Sequence, residues 1–281
     1  MSEIKADILT KVIKKRHSAT HKGDYGRVLL IGGNENYGGA IIMATEGALN
    51  TGAGLVAVAT HSLNLTALHA RDPEAMYLDW RDHNLASLIG KVDVVVCGPG
   101  LGTGKFAKQI LQLIGEYTTS KQTLVLDANA LDILAQERQL LPKHAGTIVL
   151  TPHQMEWQRL SGIKIPYQTD SANLAAFNEL IDQQKAILVL KSNQTHVYDN
   201  QGRVFVNLTG NPGMATGGMG DTLAGIIGGF TAQFGGELDS VLAAVYLHSL
   251  AGDVLAQNNY VVKPTSLSEL LPQLMQQYAS K

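Results

Sequence analysis

Cysteine is almost missing from this chain: Cys97 is the only one. A lone cysteine can form no internal disulfide and cannot build a cysteine-based zinc site, so a reducing cytoplasm is the simplest setting. Charge is also scarce, at 16% of residues, and nearly balanced at a net −2, which offers no basic surface for non-specific nucleic-acid binding. No uninterrupted apolar run is long enough to span a bilayer, and no membrane partner is expected. Glu3, Lys5 and Asp7 stand where a secretion signal would carry its apolar segment. The commonest nucleotide signatures are absent as well. Gly104-Lys105 is followed by Phe106 where a P-loop needs Ser or Thr, and Pro99 takes the place of its first Gly. Thr103 stands where a dinucleotide fingerprint has its third Gly, and Gly32-Gly33 fails the same test. No protein-kinase catalytic loop and no nucleophile elbow is present.

What is abundant is aliphatic and small. Of 281 residues, 45% are hydrophobic and 29 are Gly, enough for a large core, and no stretch resembles a linker, so the expectation is one domain over 1–281. A leading helix is expected over Ile4 to Arg16, its basic run Lys14-Lys15-Arg16 lying on a solvated face. Val28 to Ile31 is a short aliphatic strand of the kind buried on both faces, followed by a helix from Gly38 to about Asn50 and a strand from Leu55 to Ala59. A strand, a helix and a strand in that order imply parallel pairing through a right-handed crossover. The pattern recurs with strands at Val92–Val96, Thr123–Leu126, Thr147–Leu150 and Ala186–Leu190, and with helices from Lys105, from Asn129, after Thr151 with Pro152 in the first turn, and over Ala172–Gln184. A hairpin follows, Thr195–Tyr198 against Arg203–Asn207, with Asn and Gly in its turn. Helices over Leu238–Gln257 and Leu267–Tyr278 close the chain.

One stretch organises the rest, Asn211 to Phe234. Its Gly-rich first half cannot be a helix interior, whereas Leu223, Ile226, Ile227 and Phe230 recur at helical spacing. A loop therefore becomes a helix with Gly217, Gly218 and Gly220 at the join. The first N–H groups of a helix lack internal partners and lie at the positive end of its dipole, which makes an anion site. Asp221 sits at its mouth. Capping would account for an Asp there, but not for three glycines with an aliphatic helix behind them. Elsewhere, Gly32-Gly33, Gly98 to Gly104, Asp127, Thr151 to His153 and Lys191 all fall just after strands. Turn chemistry explains any one of these, but the whole set marks the crevice beyond the carboxyl ends of a parallel sheet, where ligands bind.

These residues resemble the ribokinase-like superfamily, and within it the NAD(P)H-hydrate dehydratases. The superfamily mark is GGMGDTLAGII at Gly217 to Ile227. The family marks are HKGDYGRVLLIGG from His21, YGGA from Tyr37, GPGLG from Gly98, LDANAL from Leu126 and TPHQMEW from Thr151. They run in the expected order over nearly the whole chain, leaving no room for the epimerase domain that some relatives carry. The resemblance implies a three-layer αβα fold with a mostly parallel central sheet. It implies removal of water from hydrated NADH and NADPH at the expense of ADP, the usual bacterial donor, or ATP, with Mg²⁺ as cofactor. It also implies a homotetramer. By the same resemblance Asp221 is the general base. Gly218, Met219 and Gly220 form the anion hole, and Gly220 touches the nucleotide. Lys191, Ser192, Asn193, Gln194 and Thr195 line that nucleotide, and Ala40, Gly102, His153 and Asp221 line the hydrate. Glu156 orders water around the metal, although His153 stands where the related sugar kinases have Asn in that motif. Asp127 and Asn129 are further candidates for that region.

Three other classes stay open on sequence: a vitamin-precursor hydroxyl kinase with the same anion hole, a nicotinamide-dependent oxidoreductase, and a non-catalytic nucleotide-binding regulator. Both failed fingerprints disfavour the oxidoreductase.

Overall fold

The structure is a computed structural model describing residues 1–181 and 185–279. Its strands are β1 (Ser2–Glu3), β2 (Arg27–Ile31), β3 (Leu55–Thr60), β4 (Met76–Asp79), β5 (Val94–Cys97), β6 (Thr123–Leu126), β7 (Thr147–Leu150), β8 (Ala186–Leu190), β9 (Thr195–Asp199) and β10 (Val204–Asn207). They form one sheet in the order β1-β10-β9-β8-β7-β6-β5-β2-β3-β4. Every neighbouring pair is parallel except the two made by β9. The helices are α1 (Asp7–Val12), α2 (Gly38–Asn50), α3 (Leu65–Arg71), α4 (Leu85–Ile89), α5 (Lys105–Tyr117), α6 (Asn129–Gln136), α7 (Gln154–Ser161), α8 (Asp170–Ile181), α9 (Met219–Phe234), α10 (Leu238–Ala256) and α11 (Pro264–Tyr278). The three-layer αβα arrangement is the one expected.

Aliphatic strands put alternate residues into two cores. Along β2, Val28 and Leu30 pack under α2, α9 and α10, whereas Leu29 and Ile31 pack under α5, α6 and α7. Helices fall on both faces because the chain adds strands in two directions. From β2 it moves outward to β3 and β4, then returns to β5 and builds toward β8. A right-handed crossover puts its helix on one face in the first direction and on the other in the second. The order therefore reverses between β2 and β5, the point of an open sheet where a ligand crevice forms. Close contact then fixes α9 against α2. A Cβ on Gly225 would drive into the Ala44 carbonyl, and one on Gly47 would stand 2.6 Å from the Thr222 carbonyl. Only glycines let the two backbones meet there. α10 is long and apolar enough to cross a membrane, but it is largely buried against the sheet and its neighbouring helices.

Several expectations need correction. The leading helix is shorter than Ile4–Arg16, because the first residues are drawn onto the sheet: Ile4 N–H donates to the Val206 carbonyl at 2.9 Å. Ile13 turns extended and ends the helix. Arg16 is engaged rather than merely solvated; its guanidinium lies 3.8 Å from the Tyr25 ring centre and bonds the Gly52 carbonyl and Gln233. Pro152 is not in a first helical turn, since α7 starts at Gln154 with His153 as its cap. The strand expected at Val92–Val96 is β5, shifted to Val94–Cys97. The end of the helix foreseen to Gln184 lies outside the described residues. The elements between Thr60 and Lys91 had no counterpart in the sequence reading, because α3, β4 and α4 are short and partly polar.

Ala128, between β6 and α6, is the one non-glycine with positive φ among the described residues, at φ 47 and ψ −121. Such a conformation costs about 1–3 kcal/mol. Glycine there would lose roughly 0.5–1 kcal/mol to its extra unfolded-state freedom. Ala128→Gly is therefore expected to be neutral or to raise the melting midpoint slightly. A clear fall in a thermal melt would show that the strain is not real.

Candidate active site

The carboxyl ends of β5, β6, β7 and β8 and the start of α9 bring most of the anticipated residues to one edge. At the helix start, Gly218 adopts a left-handed φ of 98 and stands as the N-cap, so Asp221 is the third helical residue and not the cap. Around Gly217 the position of a Cβ is open space, and a Cβ on Gly220 would lie 2.9 Å from the Lys191 ammonium. The turn is bare where an anion would rest, with a cation beside it.

Lys191 is no free surface lysine. It leaves the end of β8, where its N–H donates to the Pro152 carbonyl at 2.8 Å, and its side chain is only 17% exposed. Its ammonium donates to Asp127 Oδ1 at 2.7 Å, and that same oxygen accepts from Thr151 Oγ1 at 2.8 Å. Burial works against the Lys191 charge, but Asp127, Glu156 and Asp221 outweigh it and hold its pKa above the ordinary lysine value. Asp127 is buried at the end of β6. Asp221 has no hydrogen-bond or ion-pair partner among the described residues. Burial first, then the Asp127 charge, pushes its carboxyl from 3.8 to about 7, against the opposing pull of Lys191. A carboxylate poised near neutrality and held by no other group suits a proton acceptor.

His153 does a structural job that the sequence reading did not foresee. Its Nδ1 accepts from the N–H groups of Met155 and Glu156, both at 3.1 Å, while Glu156 Oε2 accepts from His153 N–H at 2.7 Å. That reciprocal box caps α7. An accepting Nδ1 requires a ring without a proton there. Burial, then Lys191 and Arg159, lowers the His153 pKa and keeps the imidazole neutral. Half of the His153 side chain remains exposed, with Nε2 3.3 Å from Glu156 Oε1. Burial above all, with Asp127 adding, raises the Glu156 pKa.

Ala40 and Gly102 flank the switch point. The Gly33 and Asn34 N–H groups donate to the carbonyls of Pro99 and Gly100 at 2.9 and 2.7 Å, tying the β2 and β5 loops together. A Cβ on Gly100 would stand 3.2 Å from that of Ala40. Gly102 N–H donates to Asn129 Oδ1 at 2.9 Å, so Asn129 braces the glycine loop. Ser192, Asn193 and Gln194 form an exposed turn closed by a Ser192 hydroxyl bond to the Gln194 carbonyl, and Thr195 starts β9 opposite Asn207. Met219 is nearly buried and contributes backbone alone to the turn.

Comparison with known proteins decides the family. The family model described as NAD(P)H-hydrate dehydratase matches residues 28–273. The chain belongs to the NAD(P)H-hydrate dehydratase family. A Lactiplantibacillus plantarum protein named ADP-dependent (S)-NAD(P)H-hydrate dehydratase is 50% identical over 99% of this chain and 98% of its own length. A solved ribokinase-like protein of Enterococcus faecalis superimposes with a TM-score of 0.94 at 45% identity, covering 100% of this chain and 97% of that one. The Bacillus subtilis ADP/ATP-dependent NAD(P)H-hydrate dehydratase, crystallised with ATP and Mg²⁺, gives 0.84 at 26% identity over 99% and 98%.

Within this hydrate dehydratase fold, the sequence reading missed the residues that act through others. Asn34, whose Oδ1 accepts from the Asn36 and Tyr37 N–H groups ahead of α2, could have been suspected as a turn residue after Gly-Gly. In the sequence Thr151 reads only as part of a strand exit, whereas its hydroxyl donates to Asp127. Polar residues on apolar α10 gave the strongest unused signal.

Proposed function

We propose that this protein is an ADP-dependent NAD(P)H-hydrate dehydratase that returns the hydrates of NADH and NADPH to the reduced cofactors, splitting ADP to AMP and phosphate. The observation that carries this reading is the unpaired Asp221 carboxylate at an open, lysine-flanked helix start. A ring hydroxyl is a poor leaving group and phosphate is a good one. The hydrate hydroxyl attacks the terminal phosphorus of the nucleotide while Asp221 takes its proton. The bond to the departing nucleotide breaks, and the Gly218, Met219 and Gly220 N–H groups hold the charge on the moving phosphoryl group. The ring C–O bond then breaks with its electron pair on phosphate, and loss of a neighbouring C–H proton restores the double bond.

Lys191, with the turn from Ser192 to Thr195 and Gly220, holds the nucleotide. Ala40, Gly102 and His153 hold the hydrate ring. Among the described residues no group of three or more His, Cys, Asp or Glu could cage a metal. Glu156 would instead help hold, through water, a Mg²⁺ brought with the nucleotide phosphates. When bound, Mg²⁺ neutralises phosphate charge. A single domain over 1–281 working as a cytoplasmic homotetramer is part of the same proposal. Light scattering that gave a monomer would remove the tetramer.

The deciding experiment incubates purified protein with hydrated NADH, Mg²⁺ and either ADP or ATP. Free phosphate released in step with the returning absorbance of reduced nicotinamide is expected, with ADP the better donor. A phosphorylated product that persists would mark an ordinary hydroxyl kinase.

A further inference from the structure

Residues 207–218 are the approach to the anion hole, and one face of α10 holds them. Asn207 ends β10 opposite Thr195, so the segment leaves the sheet beside the exposed turn at 192–194. Its Nδ2 donates to Ser249 Oγ at 2.9 Å. Four residues further along α10, Asp253 receives two bonds: Gly210 N–H to Oδ2 at 2.9 Å and Asn211 Nδ2 to Oδ1 at 2.8 Å. Asn211 in turn accepts from Gly213 N–H through its own Oδ1 at 3.0 Å. Gly210 has φ 114, a conformation that fixes the bend and excludes a side chain. Beyond it, Gly213 O and Thr216 Oγ1 bond the backbone of Val262 at 2.9 and 3.2 Å. Gly252, next to Asp253, lies so close to the Met214 sulfur that a Cβ there would overlap it.

On the reading that this edge binds the nucleotide, we propose that Asp253 is a positioning residue. Through Gly210 and Asn211 it sets the register of the loop that delivers the Gly218–Gly220 amides and Asp221 to the phosphate. The carboxylate is required because both incoming groups are donors, one to each oxygen. An amide at 253 offers one acceptor and sets its NH₂ against the other donor. If the Asn211 side chain turned over to relieve that clash, its own NH₂ would face Gly213 N–H.

The same logic supplies the complementary swap, Asp253→Asn together with Asn211→Asp. The amide then at position 253 accepts from Gly210 and donates to the carboxylate then at position 211, which still accepts from Gly213. All three bonds and the net charge are kept. In a calorimetric titration with ADP and Mg²⁺, Asp253→Asn is expected to bind ADP about tenfold more weakly, roughly the worth of one hydrogen bond to a charged group. Its unliganded melting midpoint should stay within a few degrees of wild type. The swap is expected to bind ADP within about threefold of wild type. Wild-type ADP affinity in Asp253→Asn overturns the proposal, and so does a folded swap variant that stays tenfold weak. Should the single variant not fold, the swap variant decides alone. Wild-type protein that binds ADP but leaves hydrate untouched would sink the dehydratase assignment and leave the role of Asp253 standing.

Discussion

Asp221→Asn is expected to lose hydrate turnover by about 10²–10⁴-fold, the usual worth of a positioned proton acceptor, while ADP still binds and the protein melts no lower than wild type. The stability half of this expectation follows from the raised pKa. The folded chain favours the protonated carboxyl, which titrates at about 7 in place of 3.8. The unfolded chain therefore ionises first as pH rises. The contribution to stability is complete below about 3.8 and is lost progressively up to about 7. Above that pH the wild-type protein carries a half-desolvated charge that asparagine removes. A melt at about pH 8 should show the variant unchanged or a few degrees higher, and one at about pH 3 should show no gain. Turnover runs the opposite way. The base must be ionised, so kcat/KM for the wild type should fall below about pH 7 with the slope of one proton. Normal turnover in Asp221→Asn would remove the base from the mechanism.

Lys191→Met should have the largest effect on the molecule as a whole. It removes the cation beside Gly220 and leaves Asp127 buried without its ion-pair partner, with Thr151 alone among the described side chains still donating to it. Breaking a buried pair from one side costs roughly 3–5 kcal/mol, which for a chain of this length lowers the melting midpoint by on the order of 10 °C. ADP affinity should fall by about a hundredfold or more if the ammonium meets phosphate, since charge-assisted bonds in a site of low dielectric are strong. The stability and binding losses can be separated. Adding Asp127→Asn removes the orphaned charge, keeps an acceptor for Thr151, and should recover most of the melting midpoint but none of the ADP affinity. A double variant that regained nucleotide binding would show that Lys191 only neutralises Asp127. A single variant that melts like wild type would show that the pair is not closed in solution.

Much of this architecture is legible in the sequence because the strands are aliphatic runs that end in glycine or a polar residue. Val28 to Ile31 and Thr123 to Leu126 announce burial on both faces, and the exits after them announce the crevice. The loop-to-helix join at Gly217 to Asp221 is equally open to inspection, since glycine clusters and helical periodicity are local signals. What is hidden is long-range. Nothing near Lys191 in the chain reveals that Asp127, 64 residues earlier, is its partner. His153 looks like a ligand contact and is also a helix cap, because its Nδ1 lies within reach of the N–H groups two and three residues on. The strain at Ala128 has no residue signature at all: alanine is an ordinary choice at a position whose φ is positive. Short partly polar elements such as β4 escape because neither period nor composition sets them apart.

The single reversal in strand direction at β9 has a consequence for how the enzyme can diverge. Ala40, Gly102 and His153, the residues proposed to hold the hydrate, lie beyond the ends of parallel strands β2, β5 and β7, whose bodies are locked between two cores. The turn at 192–194 is instead the link between two antiparallel strands near the sheet margin, exposed and closed by its own local bonds. On the proposal that it holds the nucleotide, insertions or replacements there are expected to retune which nucleotide is preferred while the proposed hydrate half stays fixed. If this turn holds the nucleotide as proposed, laboratory evolution of residues 192–194 alone is expected to shift the preference between ADP and ATP.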